Sequence, residues 1–281
     1  MISDWYDLDQ PQHLSMALEE LRGYWKLWSA CLLKSVSLPT PRGIILCRIN
    51  SVQRRLQEFL GRNDVTTALI RHDRQNEAPP YQRGGFLVPQ ERLLTTVRSF
   101  LSEGRIVAVY EPFNRLENGY NLNLLFQSID EVLIEIAGPG FDASNLQRGD
   151  ITPHEVLNVE LSGSGSIRAI AVVRRTTNEE YRRSVRTRID KFQEFSSTWQ
   201  NQSKDQSLCS SLLQTQEYRP VPRSLLIESI TAIVESRFIQ RFDELTGVGL
   251  PLNISTSYVN RGKRQVFWDA TGPSLKFQGL S

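Results

Sequence analysis

Two basic residues stand where they could neutralise the charge of a phosphate group. Lys26 follows Gly23-Tyr24-Trp25 in an apolar helical pattern, and Arg71 ends an apolar stretch that predicts a strand. A lysine ammonium is a compact charge, whereas an arginine guanidinium can donate two parallel hydrogen bonds to phosphate oxygens. A second interpretation stays open for each residue: a solvent-exposed helix lysine, and a surface arginine that pairs with Asp73.

Glycine-rich segments offer two further candidate sites. Residues 76–85 end in Gly84-Gly85, which would let backbone N–H groups approach phosphate oxygens closely, with a hairpin turn as the alternative. Residues 138–142 read Gly-Pro-Gly-Phe-Asp, and residues 148–155 read Arg-Gly-Asp-Ile-Thr-Pro-His-Glu. Their Gly and Pro residues fix unusual backbone geometry near two acids and a histidine, which is typical of a site or equally of an ordered structural loop. The sequence contains no Walker or Rossmann glycine pattern.

Two predicted strands near the C-terminal end could hold a divalent cation. Asn253 and Ser255 alternate along the first strand and therefore share one face, and Asp269 lies on the second. Mg²⁺ prefers oxygen ligands, keeps several waters and often uses substrate phosphates. With one carboxylate, such a site would form only when a nucleotide is bound.

Other candidate chemistry has weaker support. The three histidines and three cysteines are widely spaced, so we expect neither a zinc site nor a disulfide framework. Residues 162–166 (SGSGS) lack the strand-to-helix context of a nucleophile elbow and predict a turn. Arginines are dense from Arg168 to Arg188, which is typical of a solvated helix face; a surface for RNA or an acidic partner stays open.

Composition and charge limit the class of protein. The chain has 281 residues, 40% of them hydrophobic and 23% charged, which excludes disordered, collagen-like and coiled-coil proteins. A net charge of +2 argues against nucleic acid as the main partner. The three widely spaced cysteines favour a reducing cytoplasm. The acidic N-terminal segment and the lack of an apolar run of about 18 residues lead us to expect neither secretion nor a membrane span.

Hydrophobic periodicity predicts alternating helices and strands. Helices are expected at residues 14–33, 52–60 (closed by Gly61), 91–101 and 224–247. Strands are expected at residues 44–47, 65–70, 106–110, 122–126, 132–136, 168–173, 252–259 and 265–270, the last two as a hairpin. Residues 201–223, rich in Gln and Ser, are typical of a linker.

Several motifs together resemble the ATP-grasp family, in the branch of phosphoenolpyruvate synthase and pyruvate phosphate dikinase. Lys26 precedes Leu38-Pro39-Thr40-Pro41-Arg42-Gly43-Ile44, which resembles the family's L-P-V-P-P-G-F at the same interval. The family's V-R-S-S strand end and phosphate-covering glycine loop are similar to residues 69–72 and 82–86. Its adenine hinge is similar to residues 110–113, and its G-L-G-E and G-x-V-x-P-D motifs to residues 138–142 and 149–153.

The resemblance implies an α/β (α+β) protein with two lobes around a nucleotide cleft, residues 1–105 and 106–281, with a polar insert near 176–223. It implies ATP and Mg²⁺ as cofactors and phosphoryl transfer or ligation on an unknown small-molecule or protein acceptor. The residues it assigns are Lys26 and Arg71 for the phosphates and for catalysis, Gly84 and Gly85 for the phosphate loop, Glu111 and Phe113 for adenine, Asp142 for ribose, and Asp269 and Asn253 for the metal.

Two family residues are missing at the C-terminal motifs. The family's D-x-E and Q-x-R are represented by Asn253-Ile254-Ser255 and Asp269-Ala270-Thr271, without the glutamate and the final arginine. The sequence therefore supports a second hypothesis, a catalytically degenerate nucleotide-sensing or interaction subunit of a larger complex. RNA binding through residues 168–188 is a third hypothesis, which the near-neutral charge disfavours.

Overall fold

The computed structural model describes residues 2–63, 67–75, 86–111, 120–137, 152–163, 165–177, 179–180, 183, 221–259 and 264–272. The predicted α+β class is confirmed there by helices and antiparallel sheets. The helices are α1 (Pro11–Glu20), α2 (Trp25–Ser35), α3 (Val52–Asn63), α4 (Gln90–Ser102), α5 (Arg223–Glu235) and α6 (Phe238–Thr246), with a 3₁₀ helix at Ile49–Ser51. The strands are β1 (Trp5–Asp7), β2 (Gly43–Leu46), β3 (Thr67–Asp73), β4 (Phe86–Pro89), β5 (Ile106–Tyr110), β6 (Tyr120–Phe126), β7 (Glu131–Ala137), β8 (Glu155–Leu161), β9 (Ile167–Arg175), β10 (Leu252–Val259) and β11 (Arg264–Thr271).

The chain divides into two compact units, each assembled from separate stretches of sequence. The first comprises Met1–Phe113, Glu235–Gly249 and Phe267–Ser281, and the second comprises Asn114–Val234 and Leu250–Val266. The division into lobes 1–105 and 106–281 stays a prediction.

The first unit contains a five-stranded sheet with helices on both faces. Its strand order is β1-β2-β5-β3-β4, and each neighbouring pair is antiparallel. Helices α3 and α4 cover one face, where Ile70, Phe59 and Val97 belong to a buried apolar cluster. Helix α2 lies against β3 on the other face, which carries Arg71 and Asp73. Alternation along β3 thus places its odd-numbered polar residues under α2.

The second sheet has the order β11-β10-β6-β7-β8-β9. Strands β6, β7 and β10 alternate apolar and polar residues, so one face is apolar and the other polar. On the apolar face, Ser229 of α5 lies 2.9 Å from the hydroxyl of Tyr258, which anchors this helix to β10. The sheet therefore leaves its polar face to carry the candidate site.

Two predicted long helices are wrong, because each is interrupted at a residue with positive φ. Residues 14–33 divide into α1 and α2 at Gly23, which has a φ of 98°, and residues 224–247 divide at Arg237, with a φ of 54°. Helix α3 does not end at Gly61 but continues to Asn63. Strands β1, β4 and β8 were not predicted, although β8 buries alternate residues.

Other sequence predictions agree with the structure or lie outside its described part. The turn predicted at residues 162–166 is present, with Gly165 N–H donating to Ser162 O at 2.7 Å. Most of the polar insert, including residues 184–220, lies outside the described residues. In the described ranges, no helix is long and apolar enough to cross a membrane.

Candidate functional site

Arg71 and Asp269 form a buried ion pair in the first unit. Arg71 Nη2 donates to Asp269 Oδ2, and Arg71 Nη1 donates to the backbone oxygen of Trp268 at 2.9 Å. Their side chains are 5% and 6% exposed, so water screens the pair poorly. Because Arg71 is buried, the alternative of a surface arginine is wrong. Arg71 is instead a buried charge whose negative partner comes from the end of the chain.

Asp73 binds the N-terminal end of α2, where Lys26 lies. Its Oδ2 accepts hydrogen bonds from the backbone N–H groups of Lys26 at 2.8 Å and Leu27 at 3.2 Å. These groups have no partner inside the helix, so Asp73 caps α2 from a distant strand. Burial raises the pKa of Asp73 to about 6, against the lowering effects of these N–H donors and the Lys26 charge. Lys26 itself is buried, so the solvent-exposed helix lysine is excluded.

Ser29 links the same helix to the strand that carries Asp269. Its hydroxyl accepts a hydrogen bond from Ala270 N–H at 3.1 Å and donates to Lys26 O at 3.2 Å. Lys26, Arg71 and Asp269 thus belong to one buried polar cluster of the first unit, which we call the α2 cluster together with Ser29 and Asp73. The side chains of Arg71 and Asp269 meet in it, whereas Lys26 joins it through its backbone N–H and C=O groups.

The polar face of the second sheet carries a row of buried amides and hydroxyls. Asn121 lies opposite Ser257, and Asn123 opposite Ser255, in the β6–β10 pairing. Ser257 Oγ donates to Asn121 Oδ1 at 2.6 Å. All four residues are at least nine-tenths buried. Desolvated polar side chains at these positions are costly unless hydrogen bonds satisfy them, so an apolar packing role does not explain the row.

This polar row continues along β10 to Asn253 and across to Glu135 on β7. Asn253 Oδ1 is buried and has no hydrogen-bond partner among the described residues. Glu135, on β7, accepts a hydrogen bond from Asn123 Nδ2 at 2.8 Å. We call Asn121, Asn123, Glu135, Asn253, Ser255 and Ser257 the polar sheet face. It offers amide, hydroxyl and carboxylate oxygens, which suit a polar ligand with hydroxyl, amino or metal-bound groups.

Known sequences and solved structures give different results when compared with this chain. No family model and no curated protein matches the chain. Among solved structures, it is similar to D-alanyl-alanine synthetase A from Vibrio cholerae, at 9% identity with a TM-score of 0.44 over 93% of this chain and 61% of that one. It is also similar to D-alanine–D-alanine ligase from Bacillus anthracis complexed with ATP, at 8% identity and 0.40 over 92% and 56%. A third is the ATP-grasp ligase PsnB with a minimal precursor, at 11% identity and 0.38 over 95% and 62%.

These similarities are too low to establish the family. The chain spans less than two thirds of the length of each of these three structures. What they bind and catalyse is therefore not transferred to this chain by the comparison.

The remaining predicted site residues are only partly described. Glu111 lies directly after β5, and its N–H donates to Arg42 O at 3.0 Å, so this N–H is used within the sheet. Gly84, Gly85, Phe113 and Asp142 lie outside the described residues.

Four members of the polar sheet face are not among the residues predicted from the sequence: Asn121, Asn123, Glu135 and Ser257. A signal for them existed, because β6 reads Tyr-Asn-Leu-Asn-Leu and β7 reads Glu-Val-Leu-Ile-Glu-Ile, both with polar residues two or four positions apart. What the sequence lacked was the strand register, which places β6 between β10 and β7 and so joins the polar residues of three strands.

Proposed function

We propose that this chain is an ATP-grasp-like protein that binds ATP through the polar sheet face and performs ATP-dependent phosphoryl transfer or ligation on an acceptor still to be identified. The observation that carries the proposal is the buried Oδ1 of Asn253, which has no hydrogen-bond partner in the described part of the chain and lies in a row of buried polar side chains. An adenine amino group, a ribose hydroxyl or a nucleotide-bound cation would satisfy this oxygen. The motif order from Lys26 to Asp269 supports the same conclusion, with the phosphoenolpyruvate synthase branch as the finer assignment.

The polar sheet face could contribute one oxygen ligand to a bound Mg²⁺. Among the described residues, no group of three His, Cys, Asp or Glu side chains is placed to hold a metal. Asn253 Oδ1 can nevertheless supply one oxygen, and Mg²⁺ is commonly held by one or two protein oxygens together with substrate phosphates and water. When bound, Mg²⁺ would neutralise phosphate charge. The predicted ligand Asp269 would have to exchange its hydrogen bond from Arg71 for such a contact.

The remaining roles stay predictions. Lys26 and Arg71 would contact phosphates, Gly84-Gly85 would cover them, Glu111 and Phe113 would contact adenine, and Asp142 would contact ribose. Phosphoryl transfer needs mainly positioning and charge neutralisation, so these contacts would supply most of the catalysis. A cytoplasmic location follows from the same proposal.

Calorimetric titration of the full chain with ATP and Mg²⁺ tests the proposal. We expect heat of binding with the unmodified chain and an affinity reduced about tenfold or more in Asn253→Ala, since one lost hydrogen bond to a ligand is worth roughly 1.4 kcal/mol. Asn50→Ala is the matched control, because Asn50 is exposed in the first unit and should leave the affinity unchanged. Absence of heat with any nucleotide would overturn the proposal.

A second candidate function is a nucleotide-sensing or interaction subunit without catalysis. The Arg71–Asp269 ion pair favours it, because the carboxylate predicted to hold the metal is already neutralised by an arginine. The two functions differ in whether the protein converts ATP to ADP. ATP binding without ADP formation, in the presence of metabolite extract as a source of acceptors, would identify the sensor.

A further inference from the structure

Strand β9 is an outer edge of the second sheet. It follows β8 at the end of the strand order, and its register with β8 is regular from Ala169 to Val172, between two register shifts. Among the described residues, no strand pairs with its other side. The N–H and C=O groups along that side are therefore available to a further strand.

The side chains of β9 are unusually exposed for a strand with this composition. Val172 and Val173 are 48% and 60% exposed, and seven of the nine residues are exposed. Natural sheet edges are commonly protected by proline, inward-pointing charges or a covering element. The sequence Ile-Arg-Ala-Ile-Ala-Val-Val-Arg-Arg has no proline, and its centre is entirely apolar. Register shifts and arginines flank the strand, and both can protect an edge, but the stretch Ala169–Val172 between them carries neither a charge nor a proline.

The charge of β9 is entirely positive. Arg168 lies at one end and Arg174 and Arg175 at the other, without an acidic residue between them. Arg175 pairs with Glu155 at 2.7 Å. Hydrogen bonds from Thr177 and the nearby charge of Arg174 lower the pKa of the exposed Glu180 carboxyl. No salt bridge of Arg168 or Arg174 is found within the described part of the chain. The two arginines lie about 20 Å apart along the strand, since each residue advances it by about 3.3 Å. A partner strand with acidic residues at both ends would match them.

A second copy of this chain fits the edge poorly. If two β9 strands paired antiparallel in full overlap, Arg168 of each would lie opposite Arg174 of the other. Like charges directly opposite each other destabilise a strand pair. The charge pattern therefore disfavours self-association and favours a partner of opposite charge.

We propose that the free edge of β9 binds an extended acidic peptide segment of another protein by strand addition. The peptide backbone would pair with Ala169–Val172. The side-chain carboxylates of the acidic residues at its two ends would contact Arg168 and Arg174. Main-chain hydrogen bonds supply affinity in this mode of recognition, and the flanking side chains supply specificity. This interaction does not depend on nucleotide binding.

The test uses a fluorescein-labelled peptide, Glu-Glu-Val-Thr-Val-Thr-Glu-Glu, and the full chain. We expect fluorescence anisotropy to show binding that weakens about tenfold in Arg168→Glu and in Arg174→Glu, a loss of about 1.4 kcal/mol each. Arg98→Glu makes the same charge change on an exposed helix residue of the first unit and should leave the affinity unchanged. The same peptide with N-methylated alternate amides keeps its charge but should not bind, because it cannot pair with a strand.

Hydrogen exchange gives the readout that a purely electrostatic contact would not change. Peptide binding should slow amide exchange within residues 167–175. Three results would overturn the proposal: equal weakening in Arg98→Glu, displacement of the peptide by a uridine-rich RNA, or a dimer in sedimentation that Arg168→Glu dissociates. Protection, without peptide, of the β9 amides that point away from β8 would also overturn it, since the edge would then be occupied by another part of the chain.

Discussion

Arg71 on β3 donates a hydrogen bond to Asp269 on β11, 198 positions later in the sequence, and the two side chains neutralise each other in the interior of the first unit. The sequence analysis assigned them separate ligands, a phosphate and a metal. Because they form an ion pair, both residues stabilise the fold. A ligand of either residue would have to compete with this pair. It also connects the β3 region to the last strand, so the start and the end of the chain become one buried polar cluster.

Breaking this ion pair should destabilise the protein strongly. Arg71→Ala or Asp269→Ala leaves an uncompensated buried charge, which typically costs about 3–5 kcal/mol, whereas Arg71→Met with Asp269→Leu removes both charges and should recover much of the loss. Urea unfolding measures the difference. Arg241→Ala is the control, because its pair with Glu244 is exposed on a helix and should be worth about 0.5 kcal/mol or less. Equal losses in the Arg71 and Arg241 variants would contradict the assignment.

Asp73 should make the protein less stable as the pH rises from about 4 to 6. Burial raises the pKa of its carboxyl from 3.8 to about 6, so the folded state holds the proton more tightly than the unfolded state does. Its contribution to the free energy of unfolding should therefore fall by about 2 kcal/mol across this range. Urea unfolding at a series of pH values should show this slope in the wild type but not in Asp73→Asn. Parallel pH profiles would show that Asp73 does not titrate as described.

His154 should make the protein less stable as the pH falls. Burial lowers the pKa of its imidazole from 6.5 to about 3, so the folded state keeps it neutral while the unfolded state takes up a proton below pH 6.5. Stability is therefore lost as the pH falls, by about 2 kcal/mol between pH 6.5 and 5. His154→Gln should lose less stability than the wild type over this interval. The same loss in both proteins would mean that His154 takes up its proton in the folded state.

Gly43 should not tolerate a side chain, whereas Gly61 should. A Cβ atom at Gly43 would clash with Tyr110 Cδ1 and lie 2.8 Å from the carbonyl oxygen of Val109, and backbone cannot move away cheaply. Gly43→Ala should cost about 1–3 kcal/mol, the usual range for overpacking. Gly61 lies within α3 with nothing within 4 Å of such an atom, so Gly61→Ala should gain about 0.5–1 kcal/mol. Thermal unfolding of the two variants should shift in opposite directions.

Much of the local structure could be predicted from the sequence because it depends on side-chain periodicity. Strand β5 matches its prediction at both ends, and β6, β7, β10 and β11 lie within two residues of theirs. The two long helices were predicted wrongly because a single residue with positive φ interrupts each of them, Gly23 in the first and Arg237 in the second. Strands β1 and β4, of three and four residues, are too short to show a period.

The sequence by itself determined the α+β class, the apolar faces, and the positions of Lys26, Arg71, Asn253 and Asp269 on particular helices and strands. Only the tertiary structure decided which of them meet. Strand register joins Asn121 and Asn123 to Ser257 and Ser255, and long-range packing brings Asp269 to Arg71 and Asp73 to the N-terminal end of α2. These partners lie 46 to 198 positions apart. Periodicity reports which way a side chain faces, but not which distant strand or helix packs against it.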